Sequence, residues 1–139
     1  MASGEQGCVT PRGLHHAGVV VSDLAVSVPW YSEMFGARPG LAVDHDELSL
    51  VMLELPNTCI ELVVHRPPGD DRLPGATDLG AGHVALAIDD VEDAHARLAA
   101  RGVAFASAPE RIPDNSGAVW VIAFCLDPDG NRIELIQAP

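Results

Sequence analysis

Four side chains in this sequence have the types and spacing to do chemistry together: His16, Glu61, His83 and Glu134. His16 opens the run His16-Ala17-Gly18-Val19-Val20-Val21-Ser22-Asp23, and His83 opens His83-Val84-Ala85-Leu86-Ala87-Ile88-Asp89-Asp90, so each histidine precedes an acid by seven positions. The two glutamates sit in matching triplets further along, Ile60-Glu61-Leu62 and Ile133-Glu134-Leu135. The chain therefore reads as one unit written twice, each copy supplying one imidazole and one carboxylate. Two imidazoles and two carboxylates make a mixed nitrogen and oxygen donor set for a divalent metal such as Ni, Co, Mn, Fe or Zn, with positions left for water or substrate. Without thiolates it is not a closed structural zinc site. Taken singly, a strand histidine is more often a surface or satisfied core residue; the repeat is what raises all four together.

The elements that must position these residues follow from periodicity. Leu14 to Val21 reads as a strand, followed by a helix with Ser22 or Asp23 as N-cap and an apolar stripe of Leu24, Val28, Tyr31 and Phe35. Pro29 predicts a kink or a late helix start, and Gly36 the helix end. Leu41 to Val43 reads as a short strand and Asp44 to Glu47 as a polar turn; Leu48 to Leu55 and Thr58 to His65 read as strands joined by Pro56-Asn57. Arg66 to Ala81, rich in Pro, Gly and Asp, is the linker. The second copy repeats the order: a strand from His83 to Asp89, a helix capped by Asp90 and running through Arg101, an extended Val103 to Ala106, a loop from Ser107 to Gly117, then strands Ala118 to Leu126 and Arg132 to Gln137. The expected class is α+β: two βαβββ modules paired into a curved, half-open mixed β-sheet cup with helices outside. The expected organisation is a flexible arm over 1–13 and a single domain over 14–139, with module one at 14–65, the linker at 66–81 and module two at 82–137. Strand parity puts Ala85 and Ala87 beside His83, Gly18 and Val20 beside His16, Cys59, Val63 and His65 beside Glu61, and Arg132 and Ile136 beside Glu134.

Composition narrows the function classes. A net charge of −12 argues against nucleic acid or an anionic membrane as partner. All eight basic residues are arginines, which excludes a Schiff-base or P-loop lysine. Cys8, Cys59 and Cys125 form neither a zinc knuckle nor a disulfide framework. No apolar run is long enough to span a membrane and Met1 to Gly13 lacks a signal-peptide core, so a cytoplasmic protein is expected.

These residues resemble the vicinal oxygen chelate superfamily, which includes glyoxalase I, methylmalonyl-CoA epimerase, extradiol dioxygenases and the fosfomycin and bleomycin resistance proteins. The likeness runs from Leu14 to Gln137. It rests on His16 to Asp23, Trp30-Tyr31 with Phe35-Gly36, Ile60-Glu61-Leu62, His83 to Asp90, and Asp127-Pro128-Asp129-Gly130-Asn131 with Ile133-Glu134-Leu135. The resemblance implies one divalent ion on His16, Glu61, His83 and Glu134, with Glu134 first and Glu61 second as the catalytic carboxylate. It also implies a small-molecule substrate and a homodimer, since members build the cup within one chain or across two. Two positions depart from bacterial glyoxalase I. Its glutathione-holding arginine is Val20 here, and its asparagine after the first glutamate is His65. The catalytic glutamate of the epimerase falls on His45. His65, His45, Trp120 and Arg132 are expected around the substrate.

The expected function is a divalent-metal-dependent lyase or isomerase that chelates a carbonyl compound and moves a proton at the adjacent carbon. An Fe(II) extradiol-type dioxygenase on His16, His83 and Glu134 is the second reading, which Glu61 opposes by filling a position such enzymes leave free. A non-catalytic antibiotic-binding protein is the third, disfavoured by 4% aromatic content, because sequestering pockets stack flat ligands on aromatic rings.

Overall fold

A computed structural model describes residues 7–70, 73–75 and 77–139 of the 139-residue chain. The strands of module one are β1 (His16–Val20), β2 (Arg38–Asp44), β3 (Leu48–Glu54) and β4 (Cys59–His65), with helix α1 (Leu24–Phe35) between the first two. Module two repeats this as β5 (Val84–Ala87), α2 (Val91–Ala100), β6 (Glu110–Pro113), β7 (Val119–Leu126) and β8 (Arg132–Gln137). Each module is a four-stranded mixed sheet, ordered β1-β4-β3-β2 and β5-β8-β7-β6. The first strand runs parallel to the fourth and the other pairings are antiparallel. The fold is the pair of βαβββ modules that the repeat implied.

Both helices start where a carboxylate caps them. Asp23 accepts from the Ala25 amide at 2.9 Å and Asp90 from the Asp93 amide at 3.0 Å. Gly36 closes α1 in the left-handed region at φ 68°, its amide donating to the Ser32 carbonyl, a conformation that favours glycine. Of the two outcomes expected from Pro29, the late start does not occur: α1 begins at Leu24 and contains Pro29. The expected stripe of Leu24, Val28, Tyr31 and Phe35 does face the core, together with Val91 and Leu98 of α2.

The sheets present one face to this core. On β8 it takes Ile133 and Leu135, on β7 Val121, Ala123 and Cys125, and on β4 Ile60 and Leu62, all buried. The opposite faces carry Glu61 and Glu134, and their apolar residues Trp120, Ile122, Phe124 and Ile136 are only half-buried.

Three other expectations need correction. The strand over Leu41 to Val43 is longer, spanning all of β2. The Val103 to Ala106 segment is not a strand; it contributes a single bridge, Phe105 to Cys125. The expected loop from Ser107 to Gly117 contains β6 instead. Glu110–Pro113 is an exposed edge strand paired only with β7, so no residue in it is buried and it shows no alternation to read. Residues 1–6 of the expected arm lie outside the described residues, and 7–13 are exposed without regular structure. Among the described residues, no helix is long and apolar enough to cross a membrane.

Polar contacts tie the modules together. The Tyr31 hydroxyl of α1 donates to the buried Asp127 carboxylate at 2.9 Å, and Asn131 Nδ2 donates to Asp127 at 2.9 Å and to the Val20 carbonyl at 3.1 Å. Ser22 adds its amide and hydroxyl to Asp129, at 3.1 and 2.5 Å. The β7–β8 turn is thus fastened to the junction of β1 and α1.

Candidate metal centre

In module one, the parallel register sets Gly18 of β1 against Glu61 of β4. His16 therefore lies on the Glu61 face two residues before that glycine, and the missing side chain at Gly18 leaves space over the carboxylate, whose Oε1 a Cβ would approach to 3.8 Å. His16 Nε2 and Glu61 Oε2 are 3.4 Å apart. In module two Ala85 takes the place of Gly18, opposite Glu134, and His83 Nε2 lies 2.8 Å from Glu134 Oε2. The carboxylate side chains are the deeper partners, 20% and 14% exposed against 33% and 41% for the imidazoles, so the nitrogens stand at the open rim.

Each His–Glu pair is in direct ion-pair contact, and its separation is also one that two donors on one ion would have. Ligand atoms at about 2.0–2.2 Å from a divalent metal are separated by about 2.8–3.6 Å for angles between square and tetrahedral. Both His–Glu separations fall in that interval, and the donor chemistry is that of an open nitrogen and oxygen site. The two pairs do not, however, converge in one chain. Among the described residues, no three His, Cys, Asp or Glu side chains come together as a metal would require.

Each histidine is braced by a neighbour that the sequence reading did not assign to this task. His15 Nδ1 lies 2.8 Å from His16 Nδ1, with the rings edge to face at 5.1 Å. One of those nitrogens must carry the shared proton, so His15 bears on the tautomer of His16. His83 packs edge to face on Phe124 at 5.3 Å, and Phe124 is the residue opposite Glu134 in the β7–β8 ladder.

The other expected site residues are scattered. Arg132 and His83 both line a cavity of about 590 Å³, which also takes in β1 from Ala17 to Val20. Trp120 lies on the Phe124 face, but its indole N–H donates to Asp114 at 3.0 Å. The Ser116 hydroxyl first, then this indole, hold the Asp114 carboxyl down at about 2. His65 is exposed at the end of β4 opposite Leu48, and the His45 amide donates to the Leu48 carbonyl, so both border one end of the first sheet.

Residues 13–135 match the Glyoxalase/Bleomycin resistance protein/Dioxygenase superfamily. The chain belongs to this superfamily. It is 31% identical to the 2-epi-5-epi-valiolone epimerase of an Actinomyces species, over 94% of this chain and 85% of that one. It is 33% identical to a probable lactoylglutathione lyase of Synechocystis, over 89% and 94%. A glyoxylase/bleomycin resistance protein/dioxygenase domain from Frankia superposes with a TM-score of 0.76 at 25% identity, covering 94% of this chain and all of that one. The names of the curated relatives support an enzyme of this superfamily.

Proposed function

We propose that the protein is a divalent-metal-dependent lyase or isomerase that moves a proton at a carbon beside a carbonyl. The observation that carries this reading is the pair of His–Glu couples, each with donor atoms spaced as adjacent ligands of one ion. His16, Glu61, His83 and Glu134 would hold the ion, and the ion, when bound, would polarise the substrate carbonyl and so acidify the neighbouring C–H. Glu134 is the residue that takes the proton from that carbon, while the C–H electron pair passes toward the carbonyl oxygen. Returning the proton to the opposite face of the same carbon inverts it, as an epimerase does. Returning it to the adjacent atom isomerises the substrate. Names of an epimerase and a lyase among the relatives are consistent with this class; neither denotes use of dioxygen.

Because the couples do not converge within one chain, we propose that a site is completed between two copies, His16 and Glu61 of one chain meeting His83 and Glu134 of the partner subunit. The half-buried apolar faces that bear the couples support this, with Val20 60% exposed beside His16 and Ile112 41% exposed opposite Trp120. Contiguous exposed apolar surface marks interaction sites, and most soluble oligomers are symmetric.

The test uses two broken proteins. His16→Ala and His83→Ala each lose metal alone, by equilibrium dialysis, and lose deuterium exchange at the α-carbon of hydroxyacetone in D₂O. Mixed, unfolded and refolded together, they recover about a quarter of the wild-type sites, because half of the dimers are mixed and each of those carries one intact site. Absence of any recovery, with dimers present, rules out the shared site. Glu134→Gln keeps the wild-type circular dichroism and loses exchange by on the order of 10²- to 10⁴-fold. Retained exchange in that variant removes Glu134 as the base.

A further inference from the structure

We infer that Arg132 binds an anionic group of the substrate, a carboxylate or a phosphate, and so sets the substrate class of the site. This rests on the metal-centre reading above. In a chain with 20 acidic and eight basic residues, an arginine should easily find a carboxylate. Four do: Arg38 with Glu54 at 3.8 Å, Arg66 with Asp44 at 3.5 Å, Arg97 with Asp93 at 3.1 Å and Arg111 with Glu92 at 3.5 Å. Arg12 and Arg101 are exposed to water. Arg132 is half-buried, lines the cavity beside His83, and its guanidinium makes no ion pair or hydrogen bond with any described residue.

A guanidinium partly withdrawn from water without a counter-charge is unfavourable on its own, and a ligand oxyanion would remove that cost. Its planar fork of donors matches a carboxylate or phosphate in two parallel hydrogen bonds. Position does the rest. Arg132 precedes Glu134 by two residues on β8, on the same face, so the two side chains leave the strand about 7 Å apart. An oxyanion held at the end of the arginine would therefore sit a few bonds from the carbon that Glu134 serves. The substrate class is a carbonyl compound bearing a carboxylate or phosphate near the reacting carbon, rather than a neutral polyol ketone.

Matched probes test this by calorimetric titration of the EDTA-treated full chain, so that neither metal nor turnover enters the reading. Pyruvate is compared with hydroxyacetone, and dihydroxyacetone phosphate with dihydroxyacetone. The expected result is that one anionic member binds about tenfold or more tightly than its neutral counterpart. Arg132→Gln abolishes that preference without altering neutral binding, and Arg132→Lys keeps part of it. Stronger loss with pyruvate identifies a carboxylate, and with dihydroxyacetone phosphate a phosphate. Equal binding of charged and neutral probes, or an Arg132→Gln protein that keeps the preference, overturns the inference. Failure of the metal reading looks different: the chain would bind no metal while the Arg132-dependent preference persisted.

Discussion

At the scale of single residues, His15 and His16 divide one task. His16 offers Nε2 toward Glu61 while His15 occupies its other nitrogen at 2.8 Å. Removing the partner of a ligating imidazole leaves the ligand in place but frees its ring and tautomer. His15→Ala is expected to weaken metal binding by roughly 10- to 100-fold with little loss of folding stability. A competition titration against a chromophoric chelator reads this directly, and unchanged affinity would make the contact incidental. The four residues proposed as donors stand out in the sequence because the repeat marks them, but that each His lies on the face of its Glu follows from the parallel pairing of β1 with β4 and of β5 with β8, which strand parity alone does not give. His15 does not stand out. A strand from Leu14 would have turned it to the opposite face, but β1 begins only at His16, and the residue before the strand is free to bring its ring alongside. Tyr31 was legible only as part of an apolar stripe; nothing in the helix period shows that its hydroxyl ends on Asp127, far along the chain.

At the scale of elements, that hydroxyl is the buried part of the fastening between α1 and the β7–β8 turn. Asp127 is 5% exposed and accepts from Tyr31, from Asn131 Nδ2 and from the amides of Asp129 and Asn131. Asp127→Ala strands several donors at once and is expected to cost about 2–4 kcal/mol in urea denaturation, whereas Ser22→Ala at the exposed end should cost under about 1 kcal/mol. The same contact sets a pH dependence. Burial first, then the Asp127 charge, pushes the Tyr31 phenol well above its ordinary value of 10.0. A group raised in the folded state contributes stability that is whole below its unfolded value. That stability is lost as pH climbs above about 10, where the unfolded chain releases the proton and the folded chain does not. Urea midpoints taken from pH 8 upward should fall above pH 10 in the wild type and fall less in Tyr31→Phe; parallel slopes would contradict the assignment. Most elements could be read in advance from caps, Gly36 and the turn residues. β6 could not, because an exposed edge strand ending in Pro113 has no buried side to impose a pattern.

At the scale of the molecule, the duplication explains why there are two couples, and the absence of convergence in one chain explains why a second copy is invoked. Periodicity reports which face a side chain takes within its own sheet. It carries nothing about how two sheets, each closed on its own hydrogen bonds, are set against each other or against another chain. The inter-module contacts through Ser22, Asn131 and Asp129 fasten the β7–β8 turn to the end of β1, and the cavity beside them is lined from β1 to His83. The most direct measurement is an anomalous-difference map from crystals of the cobalt-loaded protein, collected at the cobalt edge. One peak per chain is predicted, touching His16 and Glu61 of one chain and His83 and Glu134 of the partner subunit. A map with no peak at these residues, or with a peak on one His–Glu couple alone, would contradict the shared centre.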